Sequence, residues 1–363
     1  MLQPHVIAVT GLNATDNPAP GVGVLRSLRA DARPGDRLVG LAYDALDPGI
    51  YAEDLVEDVF VLPYPSSSGD AYLSRLEYVH ERAGLDVIIP TLDAEMPAFI
   101  ALQPRLRAMG IAMLLPTREQ LDLRSKATLP RLGARADIDV PRTAVLTSAQ
   151  ELAHVHERVP YPLLVKGLFY GATLAHTHEE AVAAFHKAAA QWGLPVIVQE
   201  CVQGEELNVM GVGDGEGGLW SAVPMKKLML TDKGKGWAGI TIRDPELVAT
   251  AERFVRETHW RGPFEVEVIR DRSGRYWLIE INPRFPAWVH LATSAGVNMP
   301  RAVARLAAGE RPAPQPDYEV GVMFVRISLD QVARLEDLER VLTAGEICRR
   351  EHERPTRPLV GAA

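Results

Sequence analysis

Over the first third of the chain, short β-rich apolar runs alternate with longer helical stretches. The runs near 5–10, 37–42, 57–62, 86–90 and 111–115 predict strands, and 22–31, 69–84 and 94–108 predict helices. Strands that alternate with helices in this way predict a parallel α/β unit. From Pro116 to Leu132 the pattern is helical. After Pro141 it runs strand, helix, strand, through Thr143–Val145, Ser148–Glu157 and Leu163–Lys166. A helix over 178–191 and a strand over 195–200 follow.

From Glu206 to Ile242 the pattern is mostly antiparallel β, interrupted by the glycine-rich turn at 213–218. A helix over 245–258, a hairpin over 263–282 and a helix over 298–308 come next. Proline-rich residues 311–316 predict a linker, with a last strand near 320–328 and a helix near 330–343. At 363 residues the chain is too long for one core. The expected organisation is an N-terminal α/β unit over 1–115, a linker helix and lid over 116–200, a larger α+β unit over 201–310, and a linker with C-terminal extension over 311–363.

Composition narrows the function classes. The longest apolar runs, such as Val87-Ile88-Ile89, are strand-length and far short of the roughly 20 residues that span a bilayer. Residues Met1 to His5 lack the layout of a signal peptide, so a cytoplasmic location is expected. The net charge of −8 argues against a general nucleic-acid binder. Cys201 and Cys348 form neither a disulfide framework nor a zinc set.

Three features have chemical potential. The first turn, Thr10-Gly11 through Gly21-Val22-Gly23 with Asp44 after the second strand, resembles a dinucleotide turn. Its glycine spacing departs from the full fingerprint, and glycine also serves there for steric reasons alone. Thr91 and Asp93 follow the strand at 86–90, where open α/β sheets place ligand contacts, although the simpler reading of Asp93 is as the cap of the helix beginning near Ala94.

The third feature is the hairpin 263–282. A turn centred on Ser273-Gly274 sets Glu267 opposite Glu280 and Glu265 opposite Asn282 on one face, with Val266, Val268, Ile279 and Ile281 on the other. Facing carboxylates repel. The face is either solvated or the oxygen-ligand set of a hard cation such as Mg²⁺, for which Asp/Glu pairs with an amide suit better than His or Cys.

A carboxylate thirteen residues before Glu280, followed by Ile281-Asn282-Pro283-Arg284, resembles the metal-binding signature of the ATP-grasp superfamily. The relevant type is that of the carbamoyl-phosphate synthetase large chain, biotin carboxylase and D-alanine–D-alanine ligase. The resemblance covers roughly 116–310 and implies a role for each matching residue. Lys126 and Lys166 would bind nucleotide, with the loop Gly167–Ala172 over the phosphates. Glu200, Cys201 and Val202 would form the adenine hinge, and Glu206 would hold the ribose. Glu267, Glu280 and Asn282 would hold Mg²⁺, or Mn²⁺ in its place. Arg284 would steady an acyl phosphate. Lys227 or its neighbour Lys226 would reach the γ-phosphate from a flap over 225–237.

Two departures stand out: the phosphate loop is poor in glycine, and Glu265 stands where some relatives carry a cation. The implied reaction is ATP-dependent joining of a carboxylate to an amine, from an amino acid or peptide. Another nucleophile (thiol, hydroxyl or bicarbonate-derived) and a non-catalytic nucleotide-binding module are the alternatives. Trp237, Arg243, Trp288 and His290 are candidate pocket linings. Small molecules are the expected partners, without nucleic acid or membrane, and a homodimer is compatible with this reading.

Overall fold

The computed structural model describes residues 5–14, 17–167, 171–231, 234–314 and 317–349. The chain opens with β1 (Val6–Val9), α1 (Pro20–Ala30), β2 (Arg37–Ala42), β3 (Asp58–Val61), α2 (Gly69–Ala83), β4 (Val87–Ile89) and α3 (Met96–Ala108). The predicted strand at 111–115 is reduced to one bridge, Val87 to Ala112. Its apolar residues are buried, but its backbone serves another segment. Arg261 donates to the carbonyls of Met113 and Leu115, both at 3.1 Å, which takes them out of the ladder.

The helical stretch at 116–132 is two short helices, α4 (Arg118–Leu123) and α5 (Leu129–Ala136), the second with Pro130 in its first turn. Proline there starts a helix but cannot continue one. Lys126 is left in the turn between them. β5 (Thr143–Leu146), β6 (Leu163–Lys166), β7 (Ala172–Ala175), α6 (His178–Trp192) and β8 (Val196–Glu200) follow. β7, unforeseen in the sequence, lies exposed at the edge of a four-stranded antiparallel sheet ordered β5-β8-β6-β7.

Next come β9 (Gly204–Asp214), β10 (Leu219–Leu230), β11 (Gly236–Thr241), α7 (Pro245–Thr258), β12 (Arg261–Asp271), β13 (Tyr276–Asn282), α8 (Val289–Ser294), α9 (Met299–Ala307), β14 (Met323–Val325), α10 (Leu335–Ala344) and β15 (Glu346–Cys348). Six of these strands form an antiparallel sheet ordered β13-β12-β9-β10-β11-β14. β14 is shorter than the predicted 320–328 strand, and α10 starts five residues later than predicted. α8 and β15 were not anticipated. β15 pairs antiparallel with β3, so the end of the described chain returns to the parallel sheet, ordered β15-β3-β2-β1-β4.

The glycines of the first turn are explained by packing. Gly21 N–H donates to the Gly11 carbonyl at 3.1 Å, and a Cβ on Gly21 would lie 2.0 Å from the Thr10 carbonyl oxygen. α1 therefore seats directly on the end of β1, which accounts for the glycine without a dinucleotide.

Candidate functional site

The β12–β13 hairpin has the expected register at its acidic end, with Glu265 opposite Asn282 and Glu267 opposite Glu280. Beyond Glu267 the register shifts by one, so that Val268 faces Leu278. This β-bulge corrects the expected core face: Leu278 is fully buried with Val266, Val268 and Ile281, while Ile279 is only half-buried. On β12's other side, β9 places Asn208 beside Glu267.

Glu265 is only 4% exposed, yet it is a carboxylate surrounded by donors. It accepts from Asn208 Nδ2 and Trp288 Nε1, both at 2.6 Å, and from Asn282 Nδ2 at 3.0 Å; Arg284 Nη1 lies 3.6 Å away. Burial and neighbouring Glu267 push its pKa up. Glu267 accepts from Lys227 Nζ at 2.9 Å and Asn282 Nδ2 at 3.0 Å. Burial opposes its ionisation, but the Lys227 ammonium prevails and holds its pKa below the usual range. Glu280 lies 3.5 Å from Lys126 Nζ; burial and the Glu267 charge hold its pKa up.

Lys227 is the flap lysine that faces this cluster, since it also donates to Glu206 Oε2 at 2.9 Å. Its neighbour Lys226 faces the other way and pairs with Glu205, as strand alternation requires. The flap is the tip of the β10–β11 hairpin, and residues 232 and 233 within it lie outside the described residues.

Lys166, at the end of β6, is only 7% exposed and donates to Gln199 Oε1 at 2.6 Å. Burial, reinforced by the like charge of Lys126, pulls its pKa down to about 8. Leu168, Phe169 and Tyr170 of the expected phosphate loop lie outside the described residues. Glu200, Cys201 and Val202 form the half-buried passage from β8 towards β9, with Glu200 Oε2 accepting from the Arg142 N–H at 3.3 Å.

Arg284 is tied to the parallel sheet. Its Nε donates to Asp93 Oδ2 at 2.9 Å, and Arg124 Nη2 lies 3.2 Å from the other Asp93 oxygen. The two guanidinium charges overcome burial and hold the Asp93 pKa low. The helix-cap alternative for Asp93 is thereby corrected, because its carboxylate is taken up by the two arginines and α3 begins at Met96 without a side-chain cap. Arg124, Asn208 and Gln199 were not singled out from the sequence. Arg124 lies two residues before Lys126, and Asn208 lies two past Glu206 on the same strand face, so spacing could have found both.

Among the described residues no three His, Cys, Asp or Glu side chains converge as a metal cage. The set still fits a hard divalent cation shared with phosphates. Two carboxylates face each other across the hairpin beside an amide, and the buried Oδ1 of Asn208 has no hydrogen-bond partner among the described residues.

Residues 194–327 match the family described as "ATP-grasp in the biosynthetic pathway with Ter operon". The chain is 25% identical over 173 residues to a D-alanine–D-alanine ligase of Pseudomonas entomophila, covering 44% of this chain and 53% of that relative. It thus matches about half of that relative's length. The fold superposes on biotin carboxylase from Campylobacter jejuni with a TM-score of 0.68 at 16% identity, covering 85% of this chain and 72% of the other. For an L-amino acid ligase from Bacillus licheniformis the TM-score is 0.62 at 15% identity, covering 85% and 75%. The fold is that of its ATP-grasp structural neighbours. The chain is thus similar to ATP-grasp ligases in fold, with the family match itself lying in residues 194–327.

Proposed function

We propose that this chain is an ATP- and Mg²⁺-dependent ligase that activates a substrate carboxylate as an acyl phosphate and joins it to the amine of an amino acid or peptide. The observation that carries this reading is the convergence of Lys126, Lys227, Glu206, Glu267, Glu280 and Asn282, with Arg284 reaching the same cluster through Glu265. A binding module needs no paired, buried carboxylates whose repulsion must be offset. A phosphoryl-transfer site does, because it must hold a cation against phosphate oxygens.

In this reading Glu267, Glu280 and Asn282 would hold Mg²⁺, and a bound Mg²⁺ would supply positive charge to the transferring phosphoryl group. Lys166 and Lys126 meet the ATP phosphates, and Lys227, freed from its carboxylates, reaches the γ-phosphate. The hinge Glu200–Val202 and Glu206 hold the nucleoside. Arg284 orients the substrate carboxylate, whose oxygen attacks the γ-phosphorus while ADP leaves. The amine nitrogen then forms the C–N bond, the acyl C–O bond breaks, phosphate departs with the electron pair, and the surplus amine proton passes to solvent.

The relative named a D-alanine–D-alanine ligase and the structural neighbour named an L-amino acid ligase support an amino-acid amine as the nucleophile. The test is ADP release from MgATP across paired carboxylates and amines. Release that requires both partners is expected, and Glu280→Gln should lower it more than ~10-fold. ADP release that is indifferent to amines would overturn the amine assignment.

A further inference from the structure

A cavity of about 640 Å³ lies beside the acidic cluster, bounded by α1 with Ala14 and residues 17–19 before it, residues 48–55, the start of β11, α8 and the segment 323–331. That volume suits a small molecule. Trp288 belongs to both places, since it lines the cavity and its indole N–H donates to Glu265 at 2.6 Å. Of the four pocket candidates read from sequence, Trp237, Trp288 and His290 line this cavity, whereas exposed Arg243 lies 3.8 Å from Asp317.

Two arginines give the cavity its charge. Arg326 is fixed by its backbone N–H to the Trp237 carbonyl and by Nε to the Gly236 carbonyl, at 2.9 and 3.0 Å. Its guanidinium meets no carboxylate among the described residues, and burial alone pulls its pKa down to about 10. Arg26, exposed on α1, has no ion-pair partner among the described residues. The two acids of the lining, Asp54 and Asp330, are exposed and pair with neither arginine. Burial, then the Arg26 charge, keep His290 below its ordinary pKa, so at neutral pH the positive charge resides in the arginines. A partly buried guanidinium without a counter-charge is costly unless an anion meets it. Trp237, Trp288 and Phe324 offer apolar wall beside it.

We propose that this cavity is the acceptor site of the ligation. It takes an amino acid or short peptide, with the free carboxylate on Arg326, Arg26 adding positive potential, and an apolar side chain against Trp237, Trp288 and Phe324. This rests on the ligase reading above. The carboxylate to be phosphorylated must reach the metal cluster, where Arg284 stands. The acceptor's own carboxylate stays an anion throughout and needs a standing cation outside that cluster, which Arg326 supplies.

The test is tryptophan-fluorescence titration of the full chain with L-phenylalanine, L-leucine and L-leucyl-L-phenylalanine, each against its C-terminal amide. At least one acid should bind saturably, about tenfold or more tighter than its amide. Arg326→Gln should erase that preference, and Arg26→Gln, which removes an exposed side chain without an ion-pair partner among the described residues, should reduce it; MgATP affinity serves as the folding control. Equal binding of acids and amides, or no saturable signal from any probe, overturns the site. The ligase reading fails separately. Acids that bind with this preference while no carboxylate–amine pair releases ADP leave the cavity standing and remove the reaction. Amine-dependent ADP release unaffected by either arginine variant keeps the reaction and removes the cavity.

Discussion

At the scale of single residues, Lys166 shows how burial sets a chemical property that residue type alone does not. Its pKa near 8 means that the free protein loses the ammonium above that pH. If ATP binding needs the charged form, a proton must be taken up on binding at higher pH, and affinity should fall by up to about tenfold per pH unit. Calorimetry in buffers of different ionisation enthalpy should show that uptake above pH 8 and its absence in Lys166→Ala. That variant should also bind ATP about 1.5–3 kcal/mol more weakly at neutral pH. Arg284 carries the second prediction. It spans Asp93 and Glu265, a geometry a planar fork can satisfy and a single ammonium cannot. Arg284→Lys should therefore keep ATP affinity but lose turnover by about a hundredfold, through misplacement of the carboxylate. Steady-state rates at saturating ATP decide it, and a variant near the parental rate would reduce Arg284 to an ion-pair residue.

At the scale of elements, the informative cases are those where backbone demands override pattern. The 111–115 run has strand composition, but Arg261 takes its carbonyls, and one bridge remains. The hairpin alternation holds at Glu265 and Glu267, then slips at the bulge, which no residue type in 276–282 announces. The seat of α1 on β1 yields a prediction. A methyl on Gly21 would meet backbone oxygen atoms of Thr10 and Gly11 at 2.0 and 2.4 Å, and no side-chain rotation relieves that. Gly21→Ala should cost at least about 1–3 kcal/mol. Denaturant unfolding measures this, and an unchanged midpoint would show that α1 can lift without penalty.

At the scale of the whole molecule, distant segments are joined through a few contacts. Asp93, at the end of the parallel sheet, ties Arg284 from the loop after β13 to Arg124 from the turn after α4. β15 returns the chain to β3, with Ile347 2% exposed in the apolar core between α1 and the parallel sheet. Ile347→Ala should destabilise that sheet by about 2–5 kcal/mol while leaving ATP affinity within about twofold, because the residues proposed to hold the nucleotide stand on the other two sheets and in the turn after α4, none of them on β15 or β3. Unfolding followed together with ATP calorimetry checks both halves. The sequence by itself determined the α/β order of the first unit, the opposition of Glu267 and Glu280 across the hairpin, and the resemblance of the run from Glu267 to Arg284 to the ATP-grasp signature, because strand alternation and local spacing are properties of contiguous chain. Only the tertiary structure decided that Lys227 rather than Lys226 faces the acids, that Asp93 clamps two arginines instead of capping a helix, and that Arg326, Arg26 and Trp288 share one cavity. Those outcomes depend on which surfaces meet after folding, and electrostatics between residues up to three hundred positions apart leave no periodic trace in the chain.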